Sequence, residues 1–261
     1  MTAHDQFKAG NLAAAIAAAT DEVRANPADI HRRGLLAELY CFAGEIEKAD
    51  KQLDLISHQD PEAAVGVALF RQLLRAATAR EQCFTDGRLP EFIGEPSTEM
   101  KLHLEALVHL RAGNTDQAVQ TLAQAEEARP KVGGMCNGQP FEDFRDLDDV
   151  TSSFFEVLTS TGKYFWIPMH RVDLLEFKTP SRPRELLWQR AHMMVREGPD
   201  GEVYLPTLYV NTHKETKDPL RFGRETDWQD GPPVRGSGQR TFLVGDEGKG
   251  IMELKELKFN E

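Results

Sequence analysis

Cysteine is scarce in this chain of 261 residues: Cys41, Cys83 and Cys136 are an odd number, far apart, with no CxxC pair. That spacing offers neither a disulfide framework nor a thiolate zinc site, and it fits a reducing compartment. No 18 apolar residues run together, and the opening Met1-Thr2-Ala3-His4-Asp5-Gln6-Phe7-Lys8 lacks the basic-then-apolar pattern of an export signal. The expected location is therefore the cytoplasm. Positive charge is in deficit as well, since 31 Lys and Arg face 42 Asp and Glu for a net charge of −11. Both sides of Pro130 are acidic, with 13 basic against 20 acidic residues up to it and 18 against 22 beyond. Such a surface repels phosphate backbones and anionic lipids, so nucleic acid and membrane insertion are not expected, whereas a basic protein segment is a suitable partner.

Familiar catalytic patterns are missing too. His170, His192 and His213 stand 22 and 21 positions apart, with no HExxH-type pair. Gly236-Ser237-Gly238-Gln239-Arg240 lacks the Lys-Ser/Thr ending of a phosphate loop and reads as the start of a strand. Ser152, Ser153, Ser181 and Ser237 are not framed by a GxSxG elbow. The expectation is a chain with no catalytic residue, no cofactor and no metal.

What the chain does have is an internal period. Gly10, Ala15 and Pro27 recur as Gly44, Ala49 and Pro61, each 34 positions on, and 34 is the tetratricopeptide period. The Gly serves the tight turn between two helices, the Ala lets them approach, and the Pro stops the second helix. Gly113, Ala118 and Pro130 lie a further 69 positions on, twice the period plus one, so a third unit follows a less regular middle. There, 64–74 has helical spacing before Gly87, Pro90, Gly94 and Pro96 break it, which reads as a degenerate repeat and a loop. Arrays of this kind leave a concave groove that receives a peptide or helix. Helical phase turns His31, Glu38, Cys41 and Phe42 toward it from the second unit, and Met100, His103 and Leu107 from the third. For Cys41, Phe42, Met100 and Leu107, ordinary packing between repeats is the preferred reading.

After Pro130 the character changes. Residues 131–140 read as a loop by their Gly, Asn and Pro content, and an acidic lead-in follows at Glu142, Asp143, Asp146, Asp148 and Asp149, suited to a solvated or capping face. Short β-type segments then dominate: Tyr164 to Ile167, Leu174 to Phe177, His192 to Arg196, Val203 to Val210, Arg240 to Val244 and Ile251 to Phe259. Turn clusters at Gly198-Pro199-Asp200-Gly201 and from Gly245 to Gly250 predict two hairpins, and Pro183 opens one short helix. Met252 and Leu254 share one strand parity while Leu257 and Phe259 share the other, which a bulge would reconcile. The expected fold is α+β in two domains: a TPR-like α-α superhelix over 1–130 and a mostly antiparallel curled sheet or small barrel over 131–261. Within the second, Arg224, Asp227, Trp228 and Arg240 gather guanidinium, carboxylate and indole groups that either bind an acidic ligand or pin a loop internally.

These pieces, in this order, resemble the ImpE family, also called SciE or TagJ, an accessory component of bacterial type VI secretion systems. The resemblance covers nearly the whole chain. It rests on Ala9-Gly10-Asn11-Leu12-Ala13-Ala14-Ala15-Ile16, Val23-Arg24-Ala25-Asn26-Pro27 and Cys41-Phe42-Ala43-Gly44 at the front. Later it rests on Thr161-Gly162-Lys163-Tyr164-Phe165-Trp166-Ile167-Pro168, Arg184-Glu185-Leu186-Leu187-Trp188, Arg224-Glu225-Thr226-Asp227-Trp228 and Gly238-Gln239-Arg240. One departure is that Val150 and Thr151 follow Asp146 and Asp148 where a DxDxR pattern calls for arginine. The resemblance implies a cytoplasmic, non-enzymatic adaptor that binds a helical segment of the small contractile sheath subunit (TssB, also called VipA) and acts on sheath disassembly by the ATPase ClpV. The alternative is an enzyme or small-ligand site in the β part, displayed on a repeat scaffold.

Overall fold

In the computed structural model, which describes residues 1–260, the 34-residue period becomes paired helices. α1 (Ala3–Ala9) and α2 (Leu12–Ala25) form one hairpin, and α3 (Ile30–Phe42) and α4 (Ile46–Gln59) the next. A single long helix, α5 (Ala64–Thr85), precedes an irregular stretch, and α6 (Thr98–Arg111) with α7 (Thr115–Ala128) completes the array. Thr2 caps α1 by a reciprocal bond with Asp5, and Asp29 accepts the His31 and Arg32 N–H groups at the start of α3. Gly10, Gly44 and Gly113 take φ of 80°, 73° and 76° between the paired helices, a left-handed turn that side chains disfavour. Ala15, Ala49 and Ala118 are fully buried where the helices meet. Among the described residues, no helix is long and apolar enough to cross a membrane.

Helix gives way to strand between Ala128 and Gly134. β1 (Gly134–Cys136) and β2 (Gln139–Phe141) form a hairpin where a loop was expected. Its turn is Asn137-Gly138, with φ of 52° and 82°, the two positive values that a tight two-residue hairpin requires. β3 (Phe144–Asp146) and β4 (Phe154–Leu158) then occupy the expected acidic lead-in. β5 (Tyr164–Pro168), β6 (Val172–Phe177), β7 (Trp188–Val195) and β8 (Asp200–Pro206) follow, with the predicted short helix present as a single 3-10 turn, Pro183–Leu186. α8 (Asp218–Arg221), β9 (Thr226–Trp228), β10 (Gly236–Gly238), β11 (Thr241–Val244), β12 (Glu247–Gly250) and β13 (Glu256–Phe259) complete the chain. The last segment is no bulged strand: a 3-10 turn at Ile251–Glu253 resets the parity before β13 begins.

Eight strands make one antiparallel sheet in the order β2-β1-β13-β6-β7-β8-β4-β5, which stays open and forms no barrel. A three-stranded sheet, β12-β11-β3, lies over part of it. β4 is buried at every position because it is covered on both faces. Phe154, Leu158, Tyr164 and Trp166 share a core with the helices, while Phe155, Val157 and Ile167 share another with Phe242, Val244 and Phe259. The strand period of two thus sorts one sequence into two cores. Phe154 and Trp166 stack at 4.1 Å, a contact that contributes about 1 kcal/mol beyond its buried area.

Candidate functional site

Glu156 is the one carboxylate in the apolar run Phe154-Phe155-Glu156-Val157-Leu158, and the alternation of β4 aims it at the helical layer. There it accepts two bonds from Arg80 of α5, at 2.8 and 2.7 Å, and one from Arg240 at 3.1 Å. The Tyr164 hydroxyl also donates to it, and itself accepts from the Trp166 indole at 2.6 Å. Arg240, fully buried, donates from Nε to Asp146 at 2.9 Å. The other Asp146 oxygen accepts the Tyr209 hydroxyl at 2.8 Å and the Asp148 N–H at 2.9 Å. Two guanidinium groups therefore neutralise two carboxylates across the seam between helices and sheet. Burying an ion costs several kcal/mol, and only this complete pairing offsets it.

The titration behaviour follows from the geometry. Burial alone would raise Glu156, but Arg80, with Arg240 and Tyr164 behind it, holds it down at about 2. Burial pushes Asp146 up from the aspartate range, against the pull of Arg240. Burial and then the Glu156 charge keep the Tyr164 hydroxyl protonated, so it remains a donor. Each acid is spent on a base inside the cluster, which locks two layers together and presents no free general acid or base.

Beside the cluster sits a cavity of about 90 Å³ bounded by Cys41, Phe42, Arg80, Trp188, Tyr209 and His213. It is room for a few waters. Burial raises the Cys41 thiol, which makes it an inert packing group. Farther along the seam Glu38 faces Arg184 at 3.8 Å, and the Arg184 guanidinium lies 4.6 Å over the Phe70 ring. Burial pushes Glu38 up to about 7 despite Arg184.

The concave face expected to receive a partner is thus already covered by the chain's own β part. Glu38, Cys41, Phe42, Met100, His103 and Leu107 are all buried. Phe42 packs 5.7 Å from Phe7 and 5.3 Å from Phe222, and His103 stands edge-on to Phe154 at 5.3 Å. Burial, with a smaller push from Arg145, lowers His103 to about 3, so it is neutral. His31 alone of the seven is exposed, at the start of α3. A partner reaches the other six only by opening packing that the chain makes with itself.

Arg224, Asp227, Trp228 and Arg240 do not converge. Arg224 crosses to the first repeat and donates to the Phe7 and Lys8 carbonyls at 3.2 and 3.0 Å, over Gly10, where a side chain would block it. Asp227 pairs with Lys217 at 3.3 Å on the surface. Trp228 is 38% exposed and meets Tyr209 edge-on at 5.7 Å, while Arg240 lies inside the seam. Of the solvated or capping face expected of the acidic lead-in, the capping part holds, since Asp148 accepts the Val150 N–H at the start of a 3-10 turn; Asp146 and Asp148 are nonetheless buried, Asp148 on Arg235 at 3.0 Å, and Asp143 pairs with Arg129 at 2.7 Å. Val150, where the resemblance led to an expectation of arginine, is fully buried, and Arg235 reaches Asp148 from elsewhere in the chain. Sequence reasoning missed Arg80, Glu156, Tyr164 and Tyr209. A lone carboxylate in an otherwise apolar strand was the available signal for Glu156.

The model of the family described as ImpE protein matches residues 138–258, a stretch that holds the sheet side of this seam. Over 260 residues the chain is 30% identical to the type VI secretion system accessory component TagJ of Pseudomonas aeruginosa strain PAO1, covering 99% of this chain and 91% of that protein. A crystal structure of a protein from Vibrio parahaemolyticus superposes with a TM-score of 0.93 at 28% identity, covering 99% of this chain and 97% of that one. The fold of helical array and sheet is therefore shared from end to end with that structure, and the chain belongs to the ImpE/TagJ family of type VI secretion accessory proteins.

Proposed function

We propose that this chain is a non-catalytic cytoplasmic adaptor that binds a helical segment of the small contractile sheath subunit, of the TssB or VipA type, and modulates sheath disassembly by a ClpV-type ATPase. The observation that carries the reading is the similarity to TagJ across 99% of the chain. The interior chemistry agrees with it, since the strongest charges are consumed by one another at the seam and leave the surface as the working part. A net charge of −11 favours a partner helix with basic flanks. The alternative, a ligand site in the β part, needed Arg224, Asp227, Trp228 and Arg240 around a common space, and they lie apart.

Calorimetric titration with a peptide of the amino-terminal helix of the small sheath subunit from the same genome tests the reading. Saturable one-to-one binding supports it. No heat, and no competition at high peptide concentration, overturns sheath binding through that helix.

A further inference from the structure

The chain carries a net charge of −11, yet one groove on its helical layer has the opposite sign. It lies between α4 and α5 and holds about 600 Å³, with Leu74 buried at its floor and Ile46 half-buried beside it. Arg71, Arg75, Thr78 and Gln82 line it from one face of α5, a turn or so apart. Lys51 stands opposite on α4, and Arg88, just past the end of α5, donates to the Gln82 side chain at 2.9 Å. Gly162, in the β4-β5 turn, closes one side so tightly that a Cβ there would lie 2.4 Å from the Gln72 side chain. The groove is therefore preformed.

Four cations line it against two acids, Glu47 and Asp50. Both Asp50 oxygens are spent on Arg71, at 2.7 and 2.9 Å, and Asp54 also meets Arg71 at 3.2 Å. Lys51, Arg75 and Arg88 are exposed and, among the described residues, take part in no ion pair. Three open cations thus face one open acid, Glu47. Arg75 and Gln82 are two turns apart, about 10 Å along α5, so the cations are strung out and do not gather round one point as a small anion requires. A nucleic acid would press its phosphates against an otherwise acidic surface. A short peptide with carboxylates at intervals and an apolar side chain between them suits both the charge and the floor.

We propose that this groove receives an acidic segment of a protein partner, its carboxylates on Lys51, Arg75 and Arg88 and an apolar side chain on Leu74 and Ile46. The site is distinct from the contact with a basic-flanked sheath helix and stands or falls separately from it. It gives an acidic adaptor a second contact of opposite sign.

The stretch from Arg71 to Gln82 spans roughly 16 Å, the length of about five extended residues, so a labelled synthetic peptide of about eight residues, glutamates around one central leucine, is a sufficient probe. Fluorescence anisotropy follows its titration into the full chain. The expected result is saturable binding that weakens with added salt, falls at least about tenfold with Arg75→Glu/Arg88→Glu, and is unchanged by Lys178→Glu/Lys255→Glu, which alters net charge equally at exposed sites elsewhere. A peptide with glutamine in place of glutamate is expected not to bind. Absence of wild-type binding overturns the proposal. Equal weakening by the two double reversals reduces the effect to diffuse charge and also overturns it, as does displacement of the peptide by an equimolar amount of inorganic phosphate. Thermal melts confirm the fold of each variant, and Arg75→Gln/Arg88→Gln decides the matter should the reversal unfold.

Discussion

The Asp218 carboxylate accepts the Leu12 backbone N–H at 2.9 Å, across 206 positions of sequence. A few residues on, the Arg224 guanidinium holds the last carbonyls of α1. One short segment of the β part thus places a negative charge at the start of α2 and a positive charge at the end of α1, each matched to the helix dipole it meets.

Asp218→Ala removes a tertiary cap and is expected to cost about 1 kcal/mol, within the range of an ordinary N-cap. Hydrogen exchange checks it: amides of α1 and α2 lose protection while those of α6 and α7 keep theirs. Equal loss across the whole array would contradict a local clasp.

Arg240→Met leaves Asp146 without its guanidinium and Glu156 with one of two. Breaking a buried pair this way costs about 3–5 kcal/mol. Denaturant unfolding measures the loss, and a double-mutant cycle with Glu156→Gln is expected to show strong coupling because both groups share one network.

Two buried glutamates pull stability in opposite directions with pH. Glu38 has a folded pKa of about 7 against an ordinary 4.5, chiefly through burial, so its contribution is complete below 4.5 and is lost as pH rises through 7. Glu156 is held at about 2, so its contribution is complete above 4.5 and is lost as pH falls through 2. Glu38→Gln is expected to flatten the decline between 4.5 and about 7, an effect on the order of 3 kcal/mol at most. Denaturation midpoints at half-unit pH steps settle it, and identical slopes for variant and wild type would reject the assignment.

Gly44 and Gly113 occupy the same place in their repeats, with φ of 73° and 76°, yet their surroundings differ. A Cβ on Gly44 would lie 2.3 Å from the His213 ring, whereas one on Gly113 meets nothing within 4 Å. Gly113→Ala is expected to cost only the left-handed strain of about 1–2 kcal/mol. Gly44→Ala should cost clearly more, because His213 must move as well. Paired thermal melts of the two variants provide the comparison.

The repeat glycines, alanines and prolines were legible because a helical hairpin is a local object: its turn and stop lie within one 34-residue unit. The hairpin at Gly198 to Gly201 was legible for the same reason. Asn137-Gly138 carried an equally local signal, but its flanking strands of three residues each are too short to show alternation. Helical phase turns Glu38, Cys41, Phe42, Met100, His103 and Leu107 inward, and all six are buried, yet nothing in a helix states whether a partner or the chain itself will cover such a face.

The sequence by itself determined the helical array, the switch to strands after Pro130 and the motifs that mark the family, since each depends on neighbours along the chain. Only the tertiary structure decided that Glu156 meets Arg80 and Arg240, 76 and 84 positions away, and that Asp146 meets Arg240 at a separation of 94. Charge recognises sign at close range and ignores sequence order. Which acid joins which base is therefore fixed only when packing brings their faces together and excludes the water that would otherwise screen them.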